Sequence, residues 1–156
     1  MTIALAPRRR ATPRIAAVLI VPFVIVILAI TLMPSRVEDA APGAVFGVLD
    51  WIQIDLGAQW FTFETAERLA NVALFVPVGI LSYLILPRVL WPLALLIGGA
   101  LSAAVELAQA ALLQERVATL SDVAANLMGT AVGVLLATVC TLILAWPRTR
   151  AVNSAV

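Results

Sequence analysis

Residues 123–146, VAANLMGTAVGVLLATVCTLILAW, run for 24 positions without one charged side chain. A helix needs about 20 residues to cross the roughly 30 Å of hydrocarbon in a bilayer, so this stretch reads as a membrane-spanning helix. Outward from it, three more stretches meet the same requirement: Val89–Leu113 with a single acid, Leu69–Leu86, and Ile15–Met33. Composition agrees, with 63% apolar and 12% charged residues in a chain of 156, where soluble domains carry about 25% charged. The expected fold is all-α, an integral membrane bundle of four transmembrane helices. Open strands would leave backbone groups unpaired in lipid, and the alternating pattern of a membrane barrel is missing.

The chain divides into a basic N-terminal segment at 1–14, the four-helix domain at 15–146 and a short tail at 147–156, with the connection at 34–67 as its one long loop. Arg8, Arg9, Arg10 and Arg14 precede the first span, Arg88 sits in the tight turn between the second and third, and Arg148 and Arg150 follow the fourth. No acid accompanies them. The other helix ends carry Arg36, Arg68 and Arg116 among Glu38, Asp39, Asp50, Asp55, Glu64, Glu67, Glu115 and Asp122. By the positive-inside rule both termini are expected in the cytoplasm, and Trp91 and Trp146 then fall at the inner interface that indole rings favour. The basic N-terminus followed by a 19-residue apolar run is expected to remain as an anchor, being longer than a signal-peptide core and lacking a small-x-small cleavage site.

In the long loop, Val45, Leu49, Ile52 and Leu56 recur at i, i+4, i+7 and i+11, with Asp50 and Gln53 off the stripe. That spacing predicts a short amphipathic helix on the outer surface, anchored by Trp51, Trp60, Phe61 and Phe63.

With no His, a single Cys140 and ten arginines as the only basic residues, zinc sites, Cys–His nucleophiles and serine triads have no support, and no metal or cofactor is expected. Nucleic-acid binding has no footprint beyond the basic N-terminus. Polar side chains inside lipid are costly, so their placement is informative. Ser102, Glu106 and Gln109 form one stripe on the third span; Asp122, Asn126, Gly129 and Gly133 share a face of the fourth; Glu67 and Asn71 are one turn apart on the second. All lie toward the acid-bearing ends, leaving only small hydroxyls and the Cys140 thiol expected in the inner half. The ligand-binding candidates are therefore Glu67, Arg68, Asn71, Glu106, Gln109, Arg116, Asp122 and Asn126, with Arg68 the expected partner of Glu106. Pro77, Gly79, Gly98, Ser102, Gly129 and Gly133 read as helix-packing positions. Pro77, in the middle of the second span, removes a backbone hydrogen bond and is expected to kink it.

The runs ERLANVALFVPVGILSYLI (67–85), LSAAVELAQ (101–109) and ERVATLSDVAANLMGTAVG (115–133), in this order, resemble the VanZ-like family of small bacterial membrane proteins. The matching positions are Glu67, Asn71, Phe75, Pro77 and Gly79, then Ser102, Glu106 and Gln109, then Arg116, Asp122, Asn126, Gly129 and Gly133. The resemblance implies a polytopic protein of the bacterial cell envelope, in a family named for a member associated with resistance to the glycopeptide teicoplanin. It supplies no reaction.

Three functions stay open. The favoured one is an outward-facing polar pocket, in the plasma membrane, for a lipid headgroup, a lipid-linked envelope component or an amphiphilic antibiotic. Arginines would hold its acidic groups, while Glu106, Asp122 and the amides read its hydroxyls or amines. A second is a membrane-embedded enzyme with Glu106 or Asp122 as acid or base, for which no nucleophile is visible. The third is a structural or transport-helper subunit, packing with membrane lipids and with its own copies as a homo-oligomer.

Overall fold

The structure is a computed structural model and describes residues 11–33, 42–113 and 119–153. Arg8, Arg9, Arg10, Arg36, Glu38, Asp39, Glu115 and Arg116, together with the side chains of Trp146, Arg148 and Arg150, lie outside what is described. The helices are α1 (Ala11–Thr31), α2 (Pro42–Asp50), α3 (Phe63–Ile85), α4 (Leu93–Leu112) and α5 (Leu120–Asn153). No strand occurs among the described residues. Among the described residues, four helical segments are long and apolar enough to cross a membrane: Thr12–Thr31, Phe63–Ile85, Leu93–Leu112 and Leu120–Leu144.

Local chemistry sets the helix ends. Thr62 caps α3 by accepting from the Thr65 backbone N–H at 3.3 Å, and Leu86 ends it in an extended conformation (φ −71°, ψ 147°). The ring of Pro87 imposes that conformation, since proline disfavours the helical region for the residue before it. Pro77 sits within α3, which remains one helix from Phe63 to Ile85. Past α2 the chain continues as a π-helical turn over Trp51–Asp55. Val45, Leu49 and Ile52 are at least half-buried, whereas Leu56 is 60% exposed. The wider π turn shifts the phase of the apolar stripe, so a spacing laid out at 3.6 residues per turn no longer brings Leu56 to the inner side.

Helix α3 occupies the centre, with its most extensive contact against α5 and a second against α1; α4 packs on α5 and α3. One apolar cluster joins Ile27, Phe75, Val78 and Val105, and another joins Tyr83, Ala94, Val134 and Ala137. The α3–α5 contact is backbone against backbone. A Cβ on Gly129 would collide with the Val72 carbonyl oxygen, one on Gly133 with the Val76 carbonyl oxygen, and one on Gly79 with the Thr130 carbonyl oxygen. Such approach is how membrane helices gain packing energy when lipid is as apolar as their own surfaces.

The exterior differs from that of a soluble protein, and part of the interior is polar. Ser82, Ser102, Glu106, Gln109, Asn126 and Thr130 are buried, while Ile15, Val18, Leu96, Leu107, Leu135 and Ile143 face outward. Apolar residues on the outside, with polar side chains interleaved among the apolar ones inside, is the arrangement a hydrocarbon solvent selects.

Candidate functional site

Helices α4 and α5 run antiparallel and meet along a ladder with steps of one turn. Gly98 faces the Thr130 side chain, with no room for a Cβ. One turn on, Asn126 Nδ2 donates to Ser102 Oγ at 3.0 Å, both side chains buried. A further turn toward the acid-bearing end, Glu106 Oε2 accepts the Thr119 backbone N–H at 3.2 Å. The ladder follows from sequence spacing: residues four apart on each helix fall on one face, so 98, 102 and 106 rise on α4 as 130, 126 and 122 descend on α5.

Thr119 is the pivot of this end. As the residue before α5 it accepts from the Asp122 backbone N–H (3.3 Å) and donates its hydroxyl to Asp122 Oδ2 (2.6 Å). In an ordinary capping box the acidic side chain at the third helical position would reach back to the cap's own N–H. Here Asp122 takes the hydroxyl and Glu106, from the neighbouring helix, takes the N–H. Both carboxylates therefore converge on one threonine at the positive end of the α5 dipole, which favours negative charge. Asn71 of α3 completes the group by donating to Asp122 Oδ1 at 3.5 Å. Gln109, one turn beyond Glu106, donates to the Thr31 carbonyl oxygen at 2.9 Å and ties α4 to the end of α1.

Asn71, Glu106, Asp122 and Asn126 are thus gathered between α3, α4 and α5, with Gln109 on the α1 side. Glu67 is exposed. Arg68 forms its ion pair with Glu64 on its own helix, in a half-exposed setting, rather than with Glu106. The nearest acid at i−4 wins over a buried one reached only by drawing the guanidinium out of water. Arg116 lies in the segment 114–118, outside the described residues. Among the described residues no group of three or more metal-ligating side chains comes together.

One atom in the cluster stands apart. Asn126 Oδ1 is buried and has no hydrogen-bond partner, although its amide nitrogen is satisfied by Ser102. Leaving a buried acceptor unpaired costs about 1–3 kcal/mol. Thr130 and Thr138, by contrast, return their hydroxyls to carbonyls one turn back on α5.

Thr119 was not among the residues singled out in the sequence, although the pattern Thr-x-x-Asp at 119–122 is a helix-start signature. A cavity of about 470 Å³ at the opposite end of the bundle was also missed; its lining includes Tyr83, Arg88, Trp91 and Leu142. The arginine-bearing half of the bundle therefore holds Tyr83 and Arg88 beside its small hydroxyls.

The family model described as VanZ/LLP1 matches residues 17–143. The chain belongs to the VanZ/LLP1 family. The match covers the second and third apolar spans whole and most of the first and fourth. No curated protein and no solved structure matched the chain. This VanZ/LLP1 protein is a membrane protein with four helices able to span a bilayer, and its apolar outer faces meet lipid.

Proposed function

We propose that this VanZ/LLP1 protein resides in the bacterial plasma membrane with both termini in the cytoplasm, and that it binds an amphiphilic molecule of the cell envelope at the polar cluster of α3, α4 and α5. The observation that carries this reading is Asn126 Oδ1, a buried acceptor with no partner, one turn inside the two carboxylates that meet at Thr119. A cluster whose only purpose was to join helices has no use for an unpaired acceptor. The group is rich in acceptors: two carboxylates and an amide oxygen. It suits a headgroup that donates hydrogens from hydroxyls or amines, such as a lipid headgroup, a lipid-linked envelope component or an amphiphilic antibiotic. Leu112 and Leu120, both widely exposed at this end, offer an apolar surface for the tail. A role in glycopeptide resistance would follow from ligand capture of this kind.

The Glu106–Thr119 hydrogen bond favours a second reading. In it the cluster is a clasp across the α4–α5 connection, and the protein serves an assembly with other chains. Native mass spectrometry of protein extracted with its surrounding lipid separates the two, comparing wild type with Glu106→Gln and Asn126→Leu. A bound amphiphile present in wild type and lost from two variants that remain folded supports the binding site. Identical spectra from equally folded samples reject it in favour of the clasp.

A further inference from the structure

The cavity of about 470 Å³ lies at the arginine-bearing end, between the C-terminal end of α3, the N-terminal end of α4 and the Ala131–Leu142 stretch of α5. Tyr83 and Asn71 are twelve positions apart on α3, about 18 Å along the helix axis at 1.5 Å per residue, so this space is separate from the polar cluster. It opens sideways through the bundle surface: among its lining residues Leu135 is 61% and Leu142 51% exposed. Its walls are mostly apolar, with Leu95, Val134, Leu135 and Leu142 beside the Tyr83 and Trp91 rings. At its mouth stand Arg88, in the short turn Arg88–Leu90, and Trp91.

Arg88 is partly buried and makes no ion pair or side-chain hydrogen bond with another described residue. Nor does the sequence offer it an acid. Every Asp and Glu lies at or before Glu67 or between Glu106 and Asp122, and none occurs from 68 to 105 or after 122. Tyr83 and Thr141 also line this space, but their hydroxyls are engaged: Thr141 Oγ1 donates to the Thr138 carbonyl oxygen at 2.8 Å and lies 3.2 Å from the Tyr83 hydroxyl. A guanidinium with no ion-pair partner among the described residues, at the edge of a sideways-opening apolar groove, matches one kind of membrane molecule in both charge and shape. A phosphate needs the cation, whose guanidinium N–H groups are also the donors. An acyl chain needs the aliphatic wall and the lateral opening.

We propose that this groove is a binding site for an anionic phospholipid, its phosphate held by Arg88 and one acyl chain lying against Leu135 and Leu142. Such lipids are concentrated by basic residues at the membrane surface, where one arginine is worth about a fivefold preference. The site is independent of the polar cluster.

The test uses full-length protein in which Trp51, Trp60 and Trp146 are changed to Phe, so that Trp91 is the sole indole. It is reconstituted into vesicles that mix phosphatidylglycerol and phosphatidylcholine, with one or the other brominated on its acyl chains. Bromine quenches an indole that it touches. The expected result is about a fivefold preference of the Trp91 site for phosphatidylglycerol, retained in Arg88→Lys and falling to near unity in Arg88→Ala. Ala131→Phe, which fills the groove from an exposed position and leaves Arg88 in place, is expected to abolish the preference too. An unchanged preference in Ala131→Phe would mean surface attraction without a groove site, and would overturn the proposal. So would equal quenching by the two lipids in wild type. A groove covered by a second copy is a further overturning result, seen as a Leu135→Cys disulfide between chains in a Cys140→Ser background together with no lipid preference. Glu106→Gln leaves all of these readouts unchanged, so failure here and failure of the ligand site at the other end are distinguishable.

Discussion

The two ends of the bundle solve opposite problems. At the acid-bearing end, polar side chains of α3, α4 and α5 are drawn into a connected group, and all but one of the hydrogen-bonding atoms traced above are engaged. At the arginine-bearing end the helices enclose space, and Arg88 is the one cation lining it among the described residues. The contrast teaches that density of polar residues and availability for binding are different properties. A membrane protein spends most intramembrane polar groups on holding its helices, and what remains for a ligand is an unpaired atom or an unfilled volume. The first end has Asn126 Oδ1; the second has the groove beside Arg88, and Ser82 Oγ in the same half of α3 is also buried without a partner.

The comparison breaks most severely at the seam between the two ends, where α3 and α5 touch. Gly133→Leu sets a side chain against the Val76 carbonyl and is expected to cost about 3 kcal/mol or more, as overpacking of a backbone contact does at its upper range. The outcome to measure is loss of the folded state in an SDS unfolding titration. Ala131→Leu, two positions away and exposed, is expected to change stability by less than about 0.5 kcal/mol. Equal losses in the two would contradict the close α3–α5 approach.

Next in size is the clasp. Glu106→Ala leaves the Thr119 N–H without its acceptor and is expected to cost about 1–3 kcal/mol, whereas Glu106→Gln, which keeps an oxygen at that place, should cost less than half as much in the same titration. A double-mutant cycle between Ser102→Ala and Asn126→Ala sharpens the comparison further. Their hydrogen bond is expected to give a coupling of about 0.6 kcal/mol, the average for membrane helices. Smallest is Arg68→Ala: its pairing with Glu64 is half-exposed on one helix and is expected to matter by less than about 0.5 kcal/mol. A loss above 1 kcal/mol would mean that Arg68 reaches the buried acids after all.

Much of this was legible in the sequence because lipid makes the rules strict. Uncharged runs of helix-spanning length had few other readings, and the four-residue spacings of Ser102 and Glu106, and of Asp122 and Asn126, placed each pair on one helix face. Spacing says which face a residue lies on and nothing of which neighbour it chooses. Arg68 shows this: its helix position suited Glu106, and a nearer acid at i−4 took it. Thr119 was passed over because a helix cap normally concerns its own helix, whereas here a carboxylate from α4 enters the capping arrangement. The groove was invisible for a different reason, since a void between helices has no residue that announces it. Leu56 left its stripe because a π turn, which leaves no periodic mark in five residues, lay in between.

The central claim is that Asn126 Oδ1 is the acceptor left for a ligand. The chain has three asparagines, Asn71, Asn126 and Asn153, so carbonyl labelling of the asparagine side chains with carbon-13 gives three signals in solid-state NMR of the membrane-embedded protein. The account predicts that replacing the native lipid extract with synthetic phosphatidylcholine moves the Asn126 signal, as its hydrogen bond to the headgroup is lost, and leaves Asn71 and Asn153 in place. An Asn126 signal that stays fixed between the two preparations would contradict it.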